Sequence, residues 1–67
     1  MNYFTVMLEQ GKCIEVCCSD GIRDGVLLGY AIFFSGSWDG WRVVPGGMKR
    51  VAADMATPDE VIAEIVK

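Results

Sequence analysis

The chain contains no histidine. That removes the commonest general base and the Ser-His and Cys-His nucleophile pairs. It also leaves a structural zinc site with cysteine as its main ligand, and such a site wants four Cys or His ligands, usually as two close pairs. A basic surplus is missing as well, since six Lys and Arg stand against nine Asp and Glu, a net charge of −3. Residues 1–44 carry three positive and five negative side chains, and residues 45–67 carry three and four. Neither half therefore offers a phosphate-tracking surface. No apolar run reaches the length of a membrane span. The start, Met1-Asn2-Tyr3-Phe4, has no basic region followed by a signal core. Cysteine is sparse and odd in number, three in all, with Cys17 and Cys18 adjacent. These features predict a cytoplasmic, reduced protein with free thiols.

What is present is apolar and short. The 67 residues are 52% hydrophobic, which argues against disorder. They form a single small domain, residues 1–67. A chain of this length buries only about 60% of the surface that its unfolded form exposes, so its core is marginal. Eight glycines suit several tight turns.

The longest apolar run is Val26-Leu27-Leu28-Gly29-Tyr30-Ala31-Ile32-Phe33-Phe34, bounded by Asp24-Gly25 and by Ser35-Gly36-Ser37. It reads as a central strand over 26–35, apolar on both sides. Two alternating strands precede it, at about 3–9 and 12–18, joined through Gln10-Gly11 as a two-residue hairpin turn. Alternation puts Phe4, Val6 and Leu8 on one side of the first strand, and Ile14, Val16 and Cys18 on one side of the second. Residues 19–25 read as a loop. A fourth strand is expected over 41–44, ended by Pro45-Gly46-Gly47. Met48–Met55 is open between a short edge strand, an extended connector and an irregular helical turn.

The terminal helix has the clearest signals. Thr57 stands at the N-cap, Pro58 at the first helical position, and Glu60 where it completes a capping box. Val61, Ile62, Ile65 and Val66 form one stripe over a helix of about 58–67, which is stable only if that stripe docks on the sheet. The expected architecture is α+β: a small antiparallel sheet of three or four strands with one C-terminal helix packed on one face.

The chemistry-bearing residues are few. On a strand Cys13 and Cys17 lie roughly 13 Å apart, too far for a disulfide. They and Cys18 read as small buried hydrophobes rather than as part of a metal site. Asp20, Asp24 and Asp39 each stand beside a glycine in a turn, where Asp serves the backbone. Gly46-Gly47 lacks the length and spacing of a phosphate loop. No catalytic residue, cofactor, metal or small-molecule substrate is expected. Tyr3 and Phe33 have the chemistry to stack single-stranded bases, but that mode needs a basic surround, and Lys49-Arg50 is the lone basic pair.

Trp38-Asp39-Gly40-Trp41 reads as a hairpin tip, with Asp39-Gly40 as a type I′ turn and the two indoles facing each other on the side of Phe34 and Val43. Either the indoles cap one end of the core, or the tip presents Trp38, Asp39 and Arg42 to a partner, Trp and Arg being enriched in binding hot spots. The sheet-then-helix order and the stretch Gly40-Trp41-Arg42-Val43-Val44 resemble the small MbtH-like proteins. The Ser-Leu-Trp-Pro signature of that family is absent, and nothing is carried over from it.

One helix covers one face of a small sheet. The stripe is expected over Val6, Leu8, Ile14, Val16, Leu28, Ile32 and Phe34. The opposite face then holds Tyr3, Met7, Cys13, Cys17, Leu27, Ala31 and Phe33, a larger apolar patch than soluble monomers usually expose. The expected function is a non-enzymatic protein-interaction module with Tyr3, Leu27 and Phe33 at the centre of its contact and Trp38, Asp39, Trp41 and Arg42 around it. Small, acidic, motif-free domains are often accessory proteins of phages or mobile elements, including anti-defence inhibitors that bind a host protein, an association rather than a derivation. The second expectation is a self-associating structural or regulatory subunit, a homodimer through the open sheet face. The third is a thiol or metal sensor built on the cysteines. Neither nucleic acid nor membrane is an expected partner.

Overall fold

The structure, a computed structural model, describes residues 2–22 and 24–67. Its elements are β1 (Tyr3–Leu8), β2 (Cys13–Cys18), β3 (Leu27–Phe34), β4 (Ser37–Val44), β5 (Gly47–Met55) and α1 (Pro58–Ile65). The strands form one antiparallel meander in the order β1-β2-β3-β4-β5. The class is α+β, as expected, but the sheet has five strands rather than three or four.

The missing strand comes from the turns. Ser35 and Gly36 both have positive φ, 54° and 88°, the geometry of a type I′ hairpin turn. The chain therefore reverses at Ser35-Gly36, and Asp39-Gly40 lies inside β4. The fourth strand starts at Ser37 rather than Trp41. Pro45-Gly46 reverses it again, with Gly46 at φ 86° and Pro45 in the preceding position, a type II pattern. Met48–Met55 is then a full strand, kinked where its register with β4 shifts on either side of Gly40. Between β1 and β2 the chain turns through Glu9, Gln10 and Gly11, all at positive φ (48°, 56° and 85°), rather than through a two-residue hairpin loop. In the connection before β3, Asp24 and Asp20 accept from the Gly21 and Ile22 amides, while Arg23 of the predicted loop lies outside the described residues.

The helix begins at Pro58 with Thr57 as its cap, as expected, but the Glu60 carboxylate meets the Thr57 hydroxyl rather than the Thr57 amide of a full capping box. The Thr57 hydroxyl oxygen accepts from the Glu60 amide at 3.4 Å and donates to the Glu60 carboxylate at 3.2 Å. Its C-terminal turn is held from below. Arg42 Nε donates to the Ile65 carbonyl at 3.1 Å, and Arg42 Nη2 donates to the Glu64 carbonyl. A cation there satisfies orphan carbonyls and faces the negative end of the helix.

The helix packs on β3, β4 and β5, and its buried residues Val61, Ile62 and Ile65 form the core with Ile14, Val16, Ala31 and Ala52. What lies beneath it is small. A Cβ on Gly40 would stand 2.6 Å from Val61 Cγ1, and one on Gly29 would stand 2.9 Å from Ile65 Cγ2. Gly29 and Ala31 pair with Val16 and Ile14 across β2–β3, and Gly40 pairs with Ala31 and Ala52. Directly paired residues share a face. The covered side of β3 is therefore Gly29 and Ala31, with Leu28 packed against the core at the start of the strand, and not Ile32 and Phe34. In β1, Thr5 and Met7 pair with Val16 and Ile14, so the odd residues lie on the helix side and Phe4, Val6 and Leu8 on the other. The expected assignment holds for Ile14, Val16 and Leu28 and is reversed in β1 and in the rest of β3. A one-residue phase change moves a whole strand to the opposite face. The physical reason here is close approach: the helix seats where side chains are absent or a single methyl.

Candidate functional site: the uncovered sheet face

The shortest dimension of the molecule is 17 Å, the thickness of one sheet layer and one helix layer. The one described helix packs on the other side, so no second layer of helix or strand covers the far side of the sheet among the described residues. The register writes out what that side carries. One row runs across all five strands: Val6, Glu15, Tyr30, Trp41 and Arg50. The next runs Leu8, Cys13, Ile32 and Asp39. Phe4, Phe34 and Val43 follow on the same side by alternation. Phe34 is 74% exposed, and Phe4, Val6, Leu8, Val43 and Met48 are also exposed. Tyr30, Ile32 and Trp41 are half-buried, although no element covers them. They shield one another as neighbours in a flat aromatic surface.

The charges on this face are placed, not scattered. Asp39 Oδ2 accepts from Arg50 Nη2 at 3.0 Å, and Asp39 Oδ1 accepts from the Asp54 amide at 3.1 Å. Asp54 itself has φ 57°. Asp39 thus ties together the irregular part of β4 and β5, and its charge is matched. Glu15 has no ion-pair partner among the described residues. It is half-buried between Val6 and Tyr30. Its field reaches the thiols. Burial pushes the Cys13 thiol above its ordinary range, and the Glu9 and Glu15 carboxylates push it further. The Cys17 thiol is raised in the same way by burial and then by Glu15. The three cysteines are free, and no cluster of metal-ligating side chains occurs among the described residues.

The seven residues singled out from the sequence fall in different places. Phe33 and Trp38 pair directly across β3–β4 on the helix side, with ring centroids 5.4 Å apart and planes inclined by 56°. Trp38 packs against the core. Trp41, three residues on, lies on the other face between Tyr30 and Arg50, so the two indoles do not meet as a hairpin pair. Tyr3 is exposed at the sheet margin on the helix side, and Leu27 is half-buried opposite Cys17. Arg42 is committed to the end of the helix, and Asp39 to Arg50 and Asp54. Sequence reasoning passed over Tyr30, Ile32, Phe34 and Glu15. The signal that would have found them is the small size of Gly29, Ala31, Gly40 and Ala52, which marks the helix side and leaves the large alternate residues for the other.

An open depression of about 480 Å³ lies elsewhere, where Val26–Leu28 and Arg42–Pro45 meet Ile65 and Lys67. Its lining is mainly aliphatic, and its arginine already caps the helix. No described helix is long and apolar enough to cross a membrane. Compared with known protein families, with curated proteins and with solved structures, the chain shows no match.

Proposed function

We propose that this protein is a non-enzymatic protein-interaction module that binds through the uncovered sheet face. The observation that carries this reading is the inverted distribution of side-chain size. Small residues lie under the helix, and Tyr30, Ile32, Phe34 and Trp41 are turned toward solvent. An exposed apolar surface of this kind is costly in a free protein and is the usual mark of a contact site. Aromatic residues ringed by a few charges are the composition of an interface core.

The charges define the partner's chemistry. Glu15 stands in that row between Val6 and Tyr30 without a counter-ion among the described residues, and the chain as a whole carries −3. The complementary partner is a protein surface that is apolar at its centre and presents one lysine or arginine to Glu15. Nucleic acid is disfavoured, because Arg50, the cation of that row, is already paired with Asp39. The three free thiols, two of them with raised pKa, fit a reducing compartment such as the cytoplasm.

The test is affinity capture from cell extract with three baits: the wild type, Phe34→Asp and Glu15→Gln. The reading expects a protein retained by the wild type, lost with Phe34→Asp, and held more weakly and with a shallower salt dependence by Glu15→Gln. Capture that is indifferent to both substitutions contradicts it.

A further inference from the structure

The two edges of the sheet are built differently. β5 carries Lys49, Arg50 and Asp54, a positive φ at Asp54 and two register shifts, all devices that discourage strand pairing. β1 has none of these. Its sequence is Tyr-Phe-Thr-Val-Met-Leu, without a charge or a proline, its register with β2 is unbroken, and all six residues are exposed.

The free hydrogen-bonding groups of β1 can be assigned. The Ser19 amide donates to the Asn2 carbonyl at 3.0 Å, so Asn2 turns its main-chain groups toward β2. In an antiparallel pair this orientation alternates. Phe4, Val6 and Leu8 therefore bond inward, while Tyr3, Thr5 and Met7 present N–H and C=O outward. These three are symmetric about Thr5, so a second copy of the same uncharged strand satisfies all of them.

We propose that β1 pairs with β1 of a second copy of this chain, antiparallel, about a two-fold axis through Thr5. Thr5 then exchanges two hydrogen bonds with its own equivalent. Tyr3 and Met7 exchange two with Met7 and Tyr3 of the second copy, on each side of the axis. Every outward group of the three residues is used. The side chains match as well: Tyr3 lies against Met7, a sulfur–aromatic contact, and Phe4 against Val6, an aromatic against a β-branched residue. No charge enters the contact. The two Glu9 carboxylates lie at opposite ends, roughly 27 Å apart along the strand direction, well beyond the screening length of about 8 Å. The result is a ten-stranded sheet with both helices on one side. The guarded β5 edge stops further growth, so the assembly closes as a dimer and not as a filament. The hydrogen bonds of this contact lie along the edge of the sheet, and of the face proposed above it takes only the margin at Phe4 and Val6 and none of Tyr30, Ile32, Phe34 and Trp41, so either can fail without the other.

The experiment is sedimentation equilibrium at micromolar concentration, with amide exchange on the same samples. The wild type should have the mass of two chains, with the Tyr3, Thr5 and Met7 amides protected. Thr5→Pro removes an outward N–H and no bond to β2. It should halve the mass, expose the Tyr3 and Met7 amides and leave the far-UV spectrum unchanged. If Thr5→Pro fails to fold, Thr5→Lys decides, because it keeps the N–H and sets two like charges across the axis. A wild type at the mass of one chain, a species larger than two chains, or a folded variant that keeps the two-chain mass overturns the proposal. Phe34→Asp should leave the mass at two chains.

Discussion

The two faces of this sheet invert the usual arrangement. Under the helix stand Gly29, Ala31, Gly40 and Ala52, and the side chains that fill that core come from the helix itself and from Ile14 and Val16, with Leu28, Trp38, Val51 and Met55 packed around them. On the far face stand Tyr30, Ile32, Phe34 and Trp41, with solvent over them. A domain this small has few large apolar residues to spend on a core. Here the large ones of β3 and β4 are mostly turned away from the helix, and the helix is drawn in close to compensate. Stability is concentrated on one face, so the other is free to be shaped for contact.

Enlarging the covered side gives the greatest expected effect. Gly40→Val places its Cβ against Val61 Cγ1 and Ala52 and should cost about 3 kcal/mol, seen as a lower denaturant midpoint. Wild-type stability in this variant would mean that the helix is not seated where the core requires. The two ends of the helix come next. Arg42→Met leaves the Ile65 and Glu64 carbonyls without their charged donor and should cost about 2 kcal/mol. Thr57→Ala removes the cap acceptor and should cost about 1 kcal/mol. Equal losses from Arg42→Met and Arg42→Lys would show that the paired donors matter more than the charge.

The smallest effect is on pH dependence. Folding raises the Cys13 and Cys17 pKa values, so the unfolded chain gives up these protons first as pH rises. Their contribution to stability is complete below the ordinary thiol range of about 8.5 and is lost as pH climbs through the raised folded values. A Cys13→Ala variant should flatten that alkaline decline in a series of thermal melts. An unchanged slope would show that Cys13 does not titrate differently on folding.

Much of this was legible in the chain. The capping pattern at Thr57-Pro58-Asp59-Glu60 and the stripe at Val61, Ile62 and Ile65 mark the helix locally, although its stability comes from docking on the sheet. β1, β2 and β3 follow from alternation and turn residues. The turn between β3 and β4 was misplaced because Asp39-Gly40 and Ser35-Gly36 are both sound hairpin signals, and only the pairing of Phe33 with Trp38 selects the second. Alternation fixes which residues of a strand lie together, but not which group faces the helix. That choice depends on how closely a helix can approach, a property of Gly29 and Gly40 with Val61 and Ile65, far apart in the chain. The contact face was therefore sought among Leu27, Ala31 and Phe33, when the uncovered residues are their immediate neighbours.

The central claim is that the face of Tyr30, Phe34 and Trp41 is open in the free protein. The most direct measurement is fluorescence of an apolar dye added to the folded wild type and to Phe34→Asp, with stability followed in parallel. The account predicts dye binding by the wild type, its loss in Phe34→Asp, and a stability change below about 0.5 kcal/mol, as for a surface substitution. A wild type that binds no dye, or a Phe34→Asp variant that unfolds, would mean that this face is internal core and would contradict the account.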